Sequence, residues 1–574
     1  MRNIFILSLI WSGTFAQLSP NTVGKDLDKN YVKARIHTDN DKCWNKYGNQ
    51  YAAYEVPKGR GRHAMFANSV WIGGLDAGGQ LHIAANTYKQ TGTDFWPGPL
   101  DTANITVFSA TNSAIYNKLW KVDCKDIDNF VTAFNSGSVS AGTYTIPDGI
   151  KTYPAQGTAN FQKAMLPFAD VNNNGVYNPQ TDGDYPLIKG QQQVLSIFND
   201  RNGLHTETHG APMGVEIYER SYAYFEPNID DTMQAINYTT FFHYTIYNRS
   251  NVNYNNVYIT DWNDVDLGNW TDDFVGTDVS NNFAYCYNGN PIDPSAPNNA
   301  GYGNKPPVMS HAILKTICTN DGVDNNNNSQ IDEPGEQFGL SRTTYFNNNN
   351  SAFPPATTNP NVAIEYYNYM TGFWKDGSAF TYSGNAYGGT IPTSFVYTGD
   401  PSTNTGWTET TAGNTPGDRR LLQSSGPFNF PAGSRIEWGY ALVFSQDTSQ
   451  VINTITQFNS RVVRDVRNVR YYDETHQAAL CTPQVYVGIK QNDTKKISVM
   501  VYPNPAIDFI SIDLSENVKT ANVTLIDLLG RAIFNAQIKD GYRASLDLST
   551  LNKGVYFVEV TSGDKKVVEK IVKN

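Results

Sequence analysis

A chain of 574 residues is too long for one small hydrophobic core and predicts several structural units. Aromatic residues make up 13% and charged residues only 17%, a profile that is typical of extracellular β-rich proteins and excludes a disordered chain. The formal net charge of −11 argues against a nucleic acid as partner, because phosphate binding requires a basic surface.

The first 16 residues predict a secretory signal peptide. Arg2 precedes an apolar run over residues 4–11, and small and polar residues lead to Ala16, after which we expect cleavage. The apolar run is too short to span a bilayer, and no other long apolar segment follows it. The mature chain is therefore expected to have no transmembrane segment.

The five cysteines are widely spaced and odd in number. An oxidising compartment permits disulfides, but the spacing does not determine their pairing. None lies in a Cys-x-x-Cys pattern, so we expect structural rather than catalytic roles. The five are Cys43, Cys124, Cys286, Cys318 and Cys481.

Residues 17–186 are predicted to form a mixed, largely β region that ends in an oxygen-rich loop. Side-chain oxygens alternate along the loop, Gly175 takes the sixth position and a backbone carbonyl follows, which is how a short loop surrounds Ca²⁺. Position twelve is Thr181 rather than the glutamate of an EF-hand, so a later aspartate is expected to complete the shell. The pattern resembles the calcium loops of dockerin-like or thrombospondin-like repeats, and the alternative is a plain Asn-Gly turn. The expected ligands are Asp170, Asn172, Asn174, Val176 and either Asp182 or Asp184.

Two histidines, His205 and His209, lie four residues apart and would share one face of a helix, as a zinc site requires. The residue after His205 is Thr206 rather than the glutamate of a metalloprotease motif. Gly203 and Gly210 flank the pair and indicate a loop, so a zinc site is disfavoured.

Residues 187–480 are predicted to form a β-sandwich region. Phe242, Tyr244 and Ile246 alternate with more polar residues, as expected in a half-buried strand. A later strand over 435–444 is expected to return to the same sheet, which would make 291–431 a long loop insertion.

One amphipathic helix is predicted over 449–470. Val451, Ile455, Phe458, Val462, Val466 and Val469 fall on one helical face. Asp447 and Ser449 are its candidate N-caps.

Acidic residues concentrate in the middle of the chain at Asp261, Asp264, Asp266, Asp272, Asp273 and Asp278. Two of them could serve as the general acid and base of a glycosidase, which requires carboxylates about 5–9.5 Å apart. The alternatives are a cation site and a solvated acidic loop. Tryptophans that could stack on sugars or belong to the core are Trp96, Trp262, Trp270, Trp374 and Trp407.

A second oxygen-rich loop repeats the alternation, with Ser329 where glycine is preferred. It resembles the Asp-Gly-x-Asp-Asn-Asn metal-binding motif of secreted proteins. Two such loops in one chain strengthen the interpretation of Ca²⁺ as a structural cofactor. The expected ligands in this loop are Asp321, Asp324, Asn326, Asn328 and Asp332.

Residues 481–498 are expected to form a linker, and residues 499–574 a small Ig-like β-sandwich. Ile510, Ile512 and Leu514 alternate with polar residues, and the run 555–560 is apolar on both faces except at Glu559, which predicts a more buried strand.

The tail carries four motifs in order: Tyr502-Pro503-Asn504-Pro505, Asp527-Leu528-Leu529-Gly530-Arg531, the run 551–556 and a lysine-rich final strand. Together they resemble the type A C-terminal sorting domain of the Bacteroidota type IX secretion system. The resemblance implies that the type IX machinery recognises residues 499–574, and that the protein is secreted or attached to the outer-membrane surface. The blocks 71–76, 91–98, 272–278 and 417–420 resemble large secreted surface proteins of the same group, for which the resemblance implies no reaction.

These observations predict a mostly β protein: one or more large β-sandwich domains with long insertions, one amphipathic helix and the C-terminal sorting domain. No motif for nucleophilic catalysis is found. We therefore expect a non-enzymatic adhesion or ligand-binding protein, with a surface glycan or polysaccharide as the expected ligand class. The alternatives are a secreted polysaccharide-active hydrolase that uses the carboxylates of 261–278, and a structural component of a surface layer or stalk.

Overall fold

The computed structural model describes residues 23–46, 50–88, 92–102, 114–157, 161–162, 164–296, 299–314, 339–476, 499–527, 531–563 and 565–573. The predicted signal peptide, the predicted linker and the second oxygen-rich loop, with Asp321, Asp324, Asn326, Asn328 and Asp332, lie outside these residues. The chain divides into two compact units, Met1–Pro483 and Gln484–Asn574. Strands dominate both units, so the predicted mostly β fold class is confirmed.

The first half of the first unit contains short strands and three longer ones, β5, β11 and β12. They are β1 (Gly24–Leu27), β2 (Lys33–His37), β3 (Tyr54–Glu55), β4 (His63–Met65), β5 (Ala67–Leu75), β6 (Leu81–Ala84), β7 (Trp96–Pro97), β8 (Trp120–Asp123), β9 (Phe168–Ala169), β10 (Tyr185–Pro186), β11 (Gln192–Asn199) and β12 (Val215–Ala223). The later strands are β13 (Thr239–Asn248), β14 (Tyr254–Asp264), β15 (Asp273–Asp278), β16 (Phe283–Asn288), β17 (Val308–Ile313), β18 (Arg342–Asn347), β19 (Arg419–Phe430) and β20 (Arg435–Ser445).

Helices are few among the described residues. The α-helices are α1 (Cys124–Asn135), α2 (Asp148–Lys151), α3 (Ala363–Thr371) and α4 (Val463–Thr475). Short 3-10 turns cover Gln234–Tyr238, Pro355–Thr357 and Thr454–Gln457, and a π-helical turn covers Phe458–Val462. None of the described helices is long and apolar enough to cross a membrane.

Two antiparallel sheets form the body of the first unit. The larger has the order β15-β16-β17-β20-β13-β12-β11-β7, with β8 also paired to β11, and the smaller has the order β18-β19-β14-β5-β6. Apolar residues of both sheets belong to one core, in which Trp71 stacks on Trp262 with ring centroids 5.9 Å apart. Strands from 17–186 and from 187–480 share these sheets, so the two predicted regions are not separate structural units.

Strand β13 is buried along its whole length, and the prediction of a half-buried strand is wrong. Phe242 and Tyr244 point into the core between the sheets, while Phe241 belongs to a second core with Val466 and Val469 of α4. The helix therefore covers the outer face of the large sheet, which an alternating pattern does not indicate.

The stretch 291–431 is not only a loop insertion. It supplies β17 to the larger sheet and both β18 and β19 to the smaller one. The predicted return of the later strand is confirmed, because β20 pairs with β13 in a register that places Trp438 opposite Tyr244.

The predicted helix over 449–470 is observed in a different form. Helical structure begins at Thr454, passes through the π-helical turn and ends with α4 at Thr475. The Asp447 side chain accepts hydrogen bonds from the amides of Ser449 and Gln450 and so forms a turn ahead of the helix. The cap is Asn453, whose side chain accepts from the Ile455 amide. The apolar face is buried as predicted except at Val451, which precedes the helix and is 73% exposed.

The cysteines among the described residues fit structural roles, and Cys318 and Cys481 lie outside those residues. Cys124 is disulfide-bonded, while Cys43 and Cys286 are buried free thiols. Burial raises the pKa of both thiols, which disfavours the reactive thiolate.

The second unit is one antiparallel sheet with its own core. Its strands are β21 (Val499–Tyr502), β22 (Phe509–Ile526), β23 (Ala532–Asp547), β24 (Gly554–Ser562) and β25 (Lys565–Lys573). The order is β21-β22-β24-β25, with β23 also paired to β22. Ile510, Ile512 and Leu514 are buried as predicted. Only Val558 and Val560 are buried in the run 555–560, so this strand is half-buried rather than buried on both faces.

A buried ion pair connects the two sheets of the first unit. Lys42 makes a backbone bridge to Asn68 of the smaller sheet, and its Nζ lies 3.2 Å from Oε2 of Glu219 in the larger sheet. Both side chains are almost completely inaccessible, at 0% and 1% exposure. Removing one partner of such a pair leaves the other charge buried without compensation.

We therefore expect Lys42→Met to lower the free energy of unfolding by about 3–5 kcal/mol, and the double variant Lys42→Met/Glu219→Gln to recover much of that loss. Urea unfolding of the full chain measures both. The control is Lys33→Met, which removes a 44% exposed lysine 3.4 Å from Asp26 and should cost at most about 1 kcal/mol. Equal losses in Lys42→Met and Lys33→Met would contradict the role of the buried pair.

Candidate functional site

The oxygen-rich loop of residues 170–184 connects the two strands of the ribbon β9–β10. Oδ1 of Asp170 accepts a hydrogen bond from the Asn174 amide at 3.1 Å, and its Oδ2 accepts from the Gly175 amide at 2.7 Å. Asn174 Oδ1 accepts from the Val176 amide at 2.7 Å. Asn173 and Gly175 take left-handed conformations, with φ of 58° and 75°. The backbone therefore coils around the Asp170 carboxylate, as in a cation-binding loop.

The two aspartates proposed to close the shell have different roles. Oδ2 of Asp182 accepts from the side-chain amide of Asn174 at 2.9 Å, so this carboxylate lies beside the coil. A hydrogen bond from Thr181, followed by that from Asn174, lowers the pKa of the Asp182 carboxyl. Asp184 is completely buried and accepts from the amides of Val171 and Asn178, both at 2.9 Å. Asp182 thus adds a carboxylate to the side-chain oxygens of the loop, whereas Asp184 links two parts of the loop through hydrogen bonds.

Gln156 anchors the loop to the body of the unit, which the sequence did not indicate. Its side-chain NH₂ donates to the Gly175 carbonyl, and its Oε1 accepts from the Tyr177 amide at 3.2 Å. Side-chain oxygens of Asp170, Asn172, Asn174 and Asp182 thus belong to one exposed loop. Such an oxygen set suits a hard cation, and Asn172 also accepts from the Asn174 amide at 3.1 Å.

The two histidines do not form a pair. His205 is buried, and its Nδ1 and Nε2 lie 2.8 Å and 2.7 Å from the carbonyl oxygens of Ile83 and Asp200. His209 is exposed in a left-handed conformation with φ of 57°. The segment is a loop as predicted, and both nitrogens of His205 are engaged by the backbone.

The acidic residues of 261–278 do not form one cluster, and three of them lie apart from the others. Asp261 is in the core, where its carboxylate contacts Asn68, Gln423 and His311 at 2.7–3.2 Å. Asp273 is fully buried and accepts from the Leu267 amide, and Asp278 holds a surface turn through Asn281. Four of the five candidate tryptophans, Trp96, Trp262, Trp374 and Trp407, are buried, so they belong to the core.

Asp264 and Asp266 join a third carboxylate, Asp418, that the sequence did not associate with them. Carboxylate oxygens of the three lie within 4.8 Å of one another. Strand register places Arg420 opposite Asp264, and its guanidinium bonds Asp264 at 3.2 Å and also Asp418. The Arg420 guanidinium lies 4.9 Å from the centre of the Tyr88 ring. Arg420 thus pairs with two of the three carboxylates, Asp264 and Asp418.

The pKa values of two carboxyl groups in this cluster are raised. Burial raises the pKa of Asp264 to about 7. Burial, and then the charges of Asp264 and Asp418, raise the pKa of Asp266 well above its ordinary value. The raised pKa favours the neutral form of Asp266 beside the ion pairs of Arg420.

The unfolded chain releases the Asp266 proton near the ordinary pKa of an aspartate, whereas the folded state retains it to a higher pH. Between these two pKa values, the free energy of unfolding therefore decreases as the pH rises. Asp266→Asn replaces the aspartate with a neutral isostere. We expect the free energy of unfolding of the variant, relative to the parent, to rise by up to about 1.4 kcal/mol per pH unit between about pH 5 and 7. Thermal unfolding across this range measures it. The control is Asp278→Asn, in a surface turn. If the difference in free energy of unfolding between Asp266→Asn and the parent did not change with pH, the raised pKa of Asp266 would be refuted.

Comparisons with solved structures give only distant similarity. The chain is similar to a polysaccharide lyase at 7% identity and a TM-score of 0.16, over 67% of this chain and 35% of that chain. It is also similar to the BSP domain of a biofilm-associated protein at 10% identity and a TM-score of 0.13, over 67% of this chain and 59% of that one. The chain thus spans less than two thirds of either structure, and TM-scores this low carry no functional argument.

No curated protein matches the chain. A family model does match its end: the secretion system C-terminal sorting domain covers residues 500–574. The match coincides with the second unit and with the motifs that begin at Tyr502-Pro503. The chain is therefore type IX secretion cargo, and its residues 500–574 belong to the secretion system C-terminal sorting domain family.

Proposed function

We propose that this cargo is a non-enzymatic adhesion or ligand-binding protein of the cell surface, stabilised by Ca²⁺ in loop 170–184. The observation that carries the calcium part is the coiling of the loop backbone around Asp170, with Asn174 and Asp182 beside it. Residues 171–176 are exposed, so buried apolar contacts do not hold this part of the loop in place. A bound cation would fix its conformation instead. A second Ca²⁺ site is proposed at Asp321–Asp332, outside the described residues.

The placement of the acidic residues favours binding over hydrolysis. A glycosidase needs two carboxylates that flank a substrate-accessible bond. Asp261 is instead engaged in the core, and Asp264 is engaged by Arg420. The hydrolase alternative requires these carboxylates for catalysis. Their contacts support a structural role instead.

The protein is proposed to act after export, either released or attached at the outer surface. The experiment that tests binding against hydrolysis exposes the immobilised full chain to polysaccharides and glycoproteins, with and without Ca²⁺. We expect retention of a ligand without new chain ends. New chain ends that persist after repurification would contradict the proposal and make the protein a hydrolase.

For the calcium site, Asp170→Ala removes the carboxylate around which the loop coils, and we expect the number of Ca²⁺ ions bound per chain to fall by one in calorimetric titration. The melting temperature of the parent should rise with Ca²⁺, since a ligand at a hundred times its Kd stabilises the folded state by about 2.7 kcal/mol. Affinity is expected in the weak range of extracellular modules, about 10⁻⁴–10⁻³ M.

The matched control is Asp76→Ala. Asp76 also accepts two backbone amides, from Gly78 at 2.8 Å and Gln80 at 2.9 Å, but no alternating oxygens follow it. This variant should bind as much Ca²⁺ as the parent. An unchanged stoichiometry in Asp170→Ala would refute the site in loop 170–184.

A further inference from the structure

We propose that a cleft beside the π-helical turn binds an uncharged sugar unit of a glycan, an inference that rests on the proposed ligand-binding function. The cleft encloses about 360 Å³, within the range of about 300–1,000 Å³ usual for small-ligand sites. Four separate segments line it: the chain at Tyr31, the turn before β13, the end of β20 and the helical segment from Arg461 to Asp465.

One wall of the cleft is aromatic. The ring centroids of Tyr31 and Tyr238 are 5.0 Å apart, and Tyr238 stacks on Phe444 at 6.2 Å. Tyr31 is 39% exposed, and its backbone is fixed by hydrogen bonds to the Asn237 carbonyl and from the Lys58 amide. A fixed, exposed aromatic ring offers an apolar surface with a negative face, which suits the C–H groups on one face of a pyranose.

The rest of the lining is mostly polar, and its charged groups are paired. Nη2 of Arg461 lies 3.1 Å from Oδ2 of Asp231 and 3.8 Å from Oδ2 of Asp447. Asp465 is 3% exposed, and its Oδ1 lies 2.8 Å from Nη2 of Arg464. Planar guanidinium and carboxylate groups hydrogen-bond in bidentate fashion and therefore suit neighbouring hydroxyls. Because the charges are already paired, an uncharged ligand is favoured over an acidic one.

The backbone at Arg461 provides independent support. Arg461 lies in the π-helical turn Phe458–Val462, a conformation that is rare and occurs frequently at functional sites. Phe458 and Val462 are buried in the second core, and the Phe458 ring lies 4.8 Å from that of Tyr285. The irregular turn is thus held rigidly by its apolar residues while Arg461 faces the cleft.

The test uses the full chain on an array of neutral hexose and N-acetylhexosamine glycans, with uronic-acid and sialylated glycans as a second arm. We expect retention of neutral glycans, and affinity lowered about tenfold or more, equivalent to about 1.4 kcal/mol, by either Tyr31→Ala or Arg461→Gln. The two variants change different segments, so a folding defect in one leaves the other informative.

The matched controls are Tyr51→Ala, which removes a 46% exposed tyrosine outside the cleft, and Arg467→Gln, on the following helix. Both should bind like the parent. Neutral-glycan binding that survives both cleft variants would overturn the cleft assignment and leave the proposed function intact. Retention of acidic glycans alone, or of none, would overturn the inference about ligand class. Only failure on the wider panel of polysaccharides and glycoproteins would count against ligand binding itself.

Discussion

The first unit depends on a polar bridge that is buried between its two sheets. The side-chain amide of Asn68 donates to Asp261 at 2.7 Å, and its oxygen accepts from the Tyr440 hydroxyl at 2.6 Å. Asp261 in turn contacts His311 of the larger sheet and Gln423 of the smaller one, both at 3.2 Å. Separating buried polar partners is costly, so this network and the Lys42–Glu219 pair oppose any sliding of one sheet over the other. The hydrophobic core around them supplies most of the favourable free energy but is less specific about register.

With the sheets held in this way, the candidate binding features lie where segments end or connect. Loop 170–184 connects two short strands, and the proposed sugar cleft lies between a strand end and a helical turn. Both follow the common pattern in which a rigid scaffold positions irregular, ligand-binding segments. The carboxylates that looked most like catalytic residues in the sequence serve instead to join strands, as Asp261 and Asp264 do.

Features whose residues are contiguous in the chain were predictable, and those assembled from distant segments were not. The sorting-domain motifs and the oxygen-rich pattern of loop 170–184 are contiguous in the chain, so both are visible in the sequence. The Asp264–Arg420 contact joins residues 156 positions apart, and the sugar cleft joins four segments, so no local pattern marks either. Strands β17 to β19 were not predicted, because the sequence around them is rich in Asn, Thr and Gly. The two-sided burial of β13 was missed because residue alternation cannot indicate a helix on the outer face.

The same polar bridge constrains how the first unit can fold. Tyr440 and Asn68 are 372 residues apart, and strand β20 occupies the middle of the larger sheet, between β17 and β13. The sheet therefore cannot close until nearly the whole unit has been synthesised, and contacts between such distant residues form slowly. A chain interrupted before β20 would leave β13 and β17 without their shared neighbour and would expose two unpaired strand edges. The larger sheet of this unit is consequently completed late in synthesis, because one of its central strands lies near the end of the unit.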